Sequence, residues 1–355
     1  MAAITDDDLR AAVAAGILSE AQAARTLTLA QTRAGTRAAL TGDDEPFELF
    51  RGFSEVFISV GLILLIGGFI SLATLANGGF AVPLIGAGLC AGLAIYFTRK
   101  RRMTLPSIVL VSGFALSVYG MVGGIIDIVG PGGDGWRTWA IAATLVQIAL
   151  LLLWFRVFRV PFTMFLVGLT ALGLILFLTM RVSPLFLWNN PTAAFDLREG
   201  SGLALGTLGF GIGAFLLGMW FDLRDPNRLG RMAATGFWLH LLAAPAIVNI
   251  IALTLFNLGT TTGYVLTGVA LLLVTLLALL IDRRSFLTAG IAYFGALLYL
   301  ALDGGTTDAF GAVTLVLLIL GGFITLIGAF WTQARGALLR ALPAFPVKDR
   351  LPPYV

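Results

Sequence analysis

The chain has 355 residues, of which 58% are hydrophobic and only 12% charged, and it carries a formal net charge of +4. A soluble domain has about 25% charged residues, so an ordinary globular core is excluded. The apolar excess falls instead in runs long enough to cross about 30 Å of hydrocarbon as helix. A β-barrel is not expected, because barrel strands alternate over roughly ten residues and these runs are continuous.

From the start of the chain, Thr5 precedes Asp6, Asp7 and Asp8, carboxylates suited to the positive end of a helix dipole. Leu9, Val13 and Ile17 then share a face, and Gly16 is a natural stop. Ser19 with Gln22 three residues on reads as a capping box opening a second helix through about Arg33. Such a hairpin of about thirty residues is too small to hold a core, so it is expected to dock on cytoplasmic loops or on a partner. The acidic N-terminus has no adjacent apolar segment, so no cleaved signal peptide is expected. An acidic stretch at 42–45 and a short helix at 46–53 lead to the membrane.

Spans are predicted at 56–76, 80–98, 105–128, 138–155, 161–180, 201–221, 232–256, 264–281, 286–302 and 312–331. Basic clusters occupy alternate gaps: Arg99-Lys100-Arg101-Arg102; Arg156 and Arg159; Arg224, Arg228 and Arg231; Arg283-Arg284; and the C-terminal Arg335, Arg340, Lys348 and Arg350. Of the 23 Lys and Arg, only Arg137, Arg181 and Arg198 fall on the other side. Cytoplasmic loops keep positive charge, which makes both termini cytoplasmic. Trp136, Trp139, Trp154, Trp188, Trp220 and Trp331 fall at predicted water interfaces, where an amphipathic ring is favoured. The fold class is all-α, a polytopic membrane protein of about ten transmembrane helices. The expected organisation is a cytoplasmic hairpin and linker over 1–50, a transmembrane domain over 51–335, and a cytoplasmic proline-containing tail over 336–355. The 181–200 loop, with Ser183-Pro184 and the apolar Leu185 to Trp188, is expected to form an interfacial helix on the outer leaflet. Because the basic residues sit beside the membrane, the expected partners are the bilayer and its anionic lipids rather than nucleic acid.

The segment Ala11-Ala12-Val13-Ala14-Ala15-Gly16-Ile17-Leu18-Ser19-Glu20-Ala21-Gln22-Ala23, with a glycine-bearing first span ending in Ala76-Asn77, resembles the opening of an uncharacterised family of bacterial polytopic membrane proteins. That family is known only as a domain of unknown function, with a short cytoplasmic helical segment before its spans. Its pattern often has a tryptophan after the asparagine, where this chain has Gly78. The resemblance covers about the first eighty residues. It implies a bacterial inner-membrane location and brings no activity or binding residues with it.

Catalytic signatures are sparse. One histidine and one cysteine cannot build a His/Cys metal set, no phosphate loop or nucleophile elbow occurs, and no cofactor or catalytic activity is expected. The small residues Gly202, Gly206, Gly209 and Gly213 are spaced by four, three and four, a seam along which helices can pack closely. Within the seventh span, Pro245 cannot donate to the Leu241 carbonyl, so a kink is expected with that acceptor left available. Secondary transporters bind substrate at such broken midplane helices. The candidate binding residues are therefore His240, Leu241, Pro245 and Asn249, together with Asp127, a carboxylate inside a span that is expected to snorkel outward or to pair with Arg137 or Arg181. His240 and Asn249 are nine residues apart, half a revolution, so a straight helix points them to opposite faces. Asp222 and Asp282 are expected to pair locally with Arg224 and Arg283.

Two functions follow. Many spans, glycine seams and a broken helix favour a transporter of a small neutral or lipid-like solute. Scarce buried charge, the N-terminal hairpin and the C-terminal tail favour a non-catalytic accessory or scaffold subunit, in contact with another membrane protein or a second copy of the chain.

Overall fold

The computed structural model describes residues 6–19, 22–23, 26, 53–75, 81–129, 135–179, 194–200, 202–225, 231–303, 309–343, 345–346 and 348–352. The expected acidic stretch at 42–45, the start of the short helix at 46–53, most of the second hairpin helix, Ser183 to Trp188 and the Pro353-Tyr354 end lie outside the described residues. The chain divides into two compact units, Met1–Pro46 and Phe47–Val355.

In the first unit, α1 (Asp6–Ala14) stops where Gly16 takes a φ of +70°, a conformation that only glycine adopts without strain. The capping box forms: the Ser19 amide donates to Gln22 Oε1 at 2.9 Å, and the Gln22 amide donates to Ser19 Oγ at 3.3 Å.

The second unit contains α2 (Phe53–Leu75), α3 (Ala81–Ala94, continued by a π turn, Ile95–Lys100), α4 (Thr104–Val129), α5 (Trp136–Phe158) and α6 (Phe162–Thr179). Then follow α7 (Gly202–Asp222), α8 (Arg231–Phe256), α9 (Thr261–Ile281), α10 (Ser285–Asp303), α11 (Ala309–Ala329) and α12 (Trp331–Ala341). Among the described residues there is no strand. Each predicted span coincides with one of the helices α2 to α11. Eight of these, α2 to α9, are long and apolar enough to cross a membrane by themselves. Helix α10 is apolar over Ser285–Tyr299, and α11 turns by 70° into α12. The protein is an all-α polytopic membrane protein.

Packing is organised around two cores. Leu62, Ile66, Cys90, Leu110, Val111, Leu151 and Trp154 join α2 to α5. Ala214, Ala243, Ala244, Val248, Leu271, Ala278, Phe286 and Trp331 join α7 to α10 with α12. Helix α8 is the hub, packed on α6, α7, α9 and α10. In lipid no hydrophobic force drives helices together, so close approach depends on small residues and polar contacts. The expected seam on α7 divides accordingly. Gly202 and Gly206 face Thr179 and Ile175 of α6, whereas Gly209 and Gly213 face open space. The approach to α8 is made by Gly211, against Ala246 and Ile247, and by Gly218, under the His240 ring. Seven residues is two turns, so Gly211 and Gly218 share the α8 face that the four-three-four spacing misses.

Polar contacts at helix ends tie the bundle together. The buried Glu55 carboxylate of α2 accepts the Thr104 and Leu105 amides at 3.1 and 3.2 Å, capping α4 from a different helix. Arg137 donates to the Phe177 and Leu178 carbonyls, closing the C-terminal end of α6. Asp127 lies in α4, and its side chain is outside the described residues. Trp139 and Trp220 are exposed as interfacial rings should be, but Trp154 and Trp331 are buried within the protein.

Candidate functional site

Pro245 interrupts the hydrogen-bond ladder of α8, yet α8 runs as one helix from Arg231 to Phe256. Beside it lies a cavity of about 410 Å³. Its walls are Leu172 of α6, Phe195 from the segment before α7, Thr207 of α7, Leu242, Pro245, Ala246 and Asn249 of α8, and Ala289, Ala292 and Tyr293 of α10. Among the described residues no charged side chain lines it. The three hydrogen-bonding side chains are Thr207, Asn249 and Tyr293, and the Tyr293 hydroxyl donates to Asn249 Oδ1. The pocket is open along one side, with Pro245 exposed, and its volume and few placed polar groups fall within the range of small-molecule sites.

Of the candidate residues, Pro245 and Asn249 are brought together at this cavity, whereas Leu241 and His240 are not among its walls. His240 is fully buried on the opposite face of α8, as half a revolution of a continuous helix requires. Its Nε2 lies 3.1 Å from Asp222 Oδ2, and its ring packs edge-on against Phe215 and Phe286. None of the described side chains of α4 lines the cavity, and that of Asp127 is not among them.

Asp222 differs from the local pairing expected of it. Arg283 reaches it from the turn between α9 and α10, with Nε at 3.0 Å from Oδ2 and Nη2 at 2.5 Å from Oδ1. Arg283 also donates to the Ala233 carbonyl at 3.0 Å, so one guanidinium joins α7, α8 and the α9–α10 turn. Arg224 instead stacks over Trp220 at 3.5 Å. Room for the pair comes from Gly236, where a Cβ would overlap Asp222 Oδ1. Asp282 also finds a partner across the bundle. Its left-handed backbone (φ 57°) closes α9, and its carboxylate accepts the Trp331 indole N–H at 2.7 Å. The histidine–carboxylate–guanidinium cluster thus sits at the end of the bundle that carries the basic loops.

A second cluster lies at the other end. Asp196, 1% exposed, accepts from the Arg198 amide and guanidinium and from Asn257 Nδ2 at 2.9 Å. The Leu197 amide donates to Thr254 Oγ1 at 3.1 Å, so this segment is fastened to the end of α8, with the cavity residue Phe195 next to the clamp. The hydrogen bonds from Arg198, with those from Asn257 and the positive charge of Arg198, hold the Asp196 carboxyl well below its usual range, at about 2, against the opposing effect of burial. Because its folded pKa is depressed, the stability it contributes is complete above the ordinary value of 3.8 and is lost as pH falls through about 2. The difference in thermal midpoint between the wild type and Asp196→Asn should therefore stay constant down to about pH 4 and close only towards pH 2. A difference that disappears already near pH 6 would show that another group governs the clamp.

Among the described residues no group of three or more His, Cys, Asp or Glu can hold a metal ion. Sequence reasoning missed Thr207, Tyr293, Phe195 and the Asp222–Arg283 pair. Tyr293 lay in an apolar run with no local polar pattern, and the pair joins residues 61 positions apart, so neither left a periodic signal. The chain matches no family model, no curated protein and no solved structure.

Proposed function

We propose that this polytopic membrane protein is a non-catalytic transporter of a small neutral or lipid-like solute, working in a bacterial inner membrane beside anionic lipids. The observation that carries the reading is the pocket beside Pro245, whose described walls carry no charge and come from α6, α7, α8 and α10, with Phe195 from the segment before α7. A buried charge in hydrocarbon is costly without a partner, so walls that offer only Thr, Asn and Tyr suit a neutral solute and disfavour an ion. Ionic clusters bracket this cavity along α8, at His240 and at Asn257, each tying a neighbouring segment to that helix. Such contacts suit places where helix ends separate and rejoin as access alternates.

Proteoliposomes test this with two uncharged probes, glycerol followed by light scattering and a fluorescent glucosylceramide followed by reductant quenching. One of the two should cross several times faster than in protein-free vesicles, and Ala292→Trp, at an exposed wall of the pocket, should remove the gain. If neither probe is accelerated, the transport reading fails. A partner that co-purifies in fixed proportion would then support the accessory-subunit alternative.

A further inference from the structure

Resting on the reading of this same cavity as a solute site, we propose that Asn249 is its specificity residue. The solute it selects is an uncharged, mostly apolar molecule presenting a carbonyl oxygen. The argument is a count of donors and acceptors. A tyrosine hydroxyl has one hydrogen, and that of Tyr293 is directed to Asn249 Oδ1. This contact fixes the amide plane of Asn249 and leaves its N–H₂ group without a partner among the described residues. Thr207 lines the cavity from the facing helix, α7, and its hydroxyl likewise makes no hydrogen bond within the described protein. Several threonine hydroxyls elsewhere in the bundle turn back to the carbonyl four residues earlier, as Thr144, Thr170, Thr179 and Thr267 do. Those of Thr98 and Thr163 are buried without a partner among the described residues but, unlike that of Thr207, do not line the cavity.

The cavity therefore offers two N–H donors and one adaptable hydroxyl, set among leucine, alanine, proline and phenylalanine. A solute that only donates would use the second lone pair of Asn249 Oδ1 and the Tyr293 and Thr207 oxygens, and would leave both Asn249 N–H donors unmet. A carbonyl oxygen has two lone pairs and can accept from Asn249 and Thr207 together. Burying it elsewhere in hydrocarbon would leave it unsatisfied. No charged side chain among the described residues lines the pocket to hold a carboxylate or an ammonium, so the carbonyl belongs to a ketone, ester or amide. Its source is either a free solute or the ester of a bilayer lipid.

Benzophenone is a probe of this class. It is an apolar ketone that cross-links to nearby C–H bonds under near-ultraviolet light. In proteoliposomes of the full chain, adducts should map to 245–249 and 289–293, with Leu317 and Leu318 of the exposed helix α11 reporting simple partitioning into lipid. At equal mole fraction in the membrane, dicyclohexyl ketone should displace the cavity label about tenfold better than dicyclohexylmethane, the difference expected for one or two neutral hydrogen bonds. Asn249→Leu should bring the two competitors together. The near-isosteric Thr207→Val should narrow the gap severalfold and guards against loss of folding in the first variant. If labelling at the cavity rises when ester lipids are replaced by ether lipids that lack carbonyls, the lipid ester is the occupant. If it does not, a free solute is. Equal competition by ketone and hydrocarbon, or a preference that survives Asn249→Leu in folded protein, overturns the proposal. Ketone preference without uptake of either transport probe would sink the transport reading alone. Uptake without ketone preference would sink this inference alone.

Discussion

Arg283→Ala should destabilise the folded protein in detergent by about 3–5 kcal/mol, because it leaves Asp222 buried with its main counter-charge removed. Asp222 and Arg283 are 6% and 3% exposed at the side chain, and they share a bidentate contact that water does not replace. Asp222→Asn should cost a similar amount by stranding the guanidinium. The double variant should cost far less than the two single changes together, since the desolvation penalty disappears when both charges go. Thermal unfolding of the four proteins measures this coupling. Strict additivity would mean that the two groups do not act as a pair and that helix packing alone holds this end of α7. His240→Phe is a useful companion, because it keeps an aromatic ring edge-on to Phe215 and Phe286 while removing one partner of Asp222. It should weaken the cluster less than either ionic change, as Arg283 still holds the carboxylate.

The second large effect is expected at Trp331. Its ring is 2% exposed in the α7–α10 core, and its N–H holds the Asp282 carboxylate that closes α9. Trp331→Ala removes both the packing and the hydrogen bond, a change that costs about 3–5 kcal/mol in a well-packed site. The loss should be concentrated in α12. That helix is anchored by Trp331, by the buried Leu339 and by Arg335, whose guanidinium donates to the Pro352 carbonyl at 2.7 Å and so ties the returning tail to it. Trypsin should therefore cut after Arg335 and Arg340 much faster in the variant than in the wild type. Trp331→Phe should be intermediate, keeping the ring and losing the bond to Asp282. Unchanged cleavage in Trp331→Ala would show that α12 is held by its other contacts.

These effects mark how far the chain could be read before its fold was seen. Every membrane-crossing helix was legible, because hydrocarbon forces the backbone to satisfy itself within each segment and so writes each span as a continuous apolar run. The capping box at Ser19 and Gln22 was legible for a similar reason, since both partners lie within one helical turn. The candidate site was half legible. Pro245 and Asn249 stood out as a proline and an amide inside an apolar helix, and both line the cavity. His240 stood out on the same grounds and faces elsewhere, because rotation along α8 separates it from Asn249. The expected local pair Asp222–Arg224 gave way to Asp222–Arg283, and Asp282 also meets Trp331 of another helix, since charges at helix ends meet whatever the packing brings closest.

The sequence by itself determined the class of the protein, the number and order of its apolar segments and the alternation of its basic loops along the chain. All of these depend on residue type summed over short windows, and the membrane acts on each window separately. Only the tertiary structure decided which helix face meets which. It made Gly211 and Gly218, rather than Gly209 and Gly213, the points of contact with α8. It gave Asp222 to Arg283 across 61 residues, and it set Tyr293 and Thr207 opposite Asn249. In lipid the apolar surface of a helix is nearly neutral to rotation, so its orientation is settled by steric fit and a few long-range polar contacts, neither of which leaves a periodic trace in the chain.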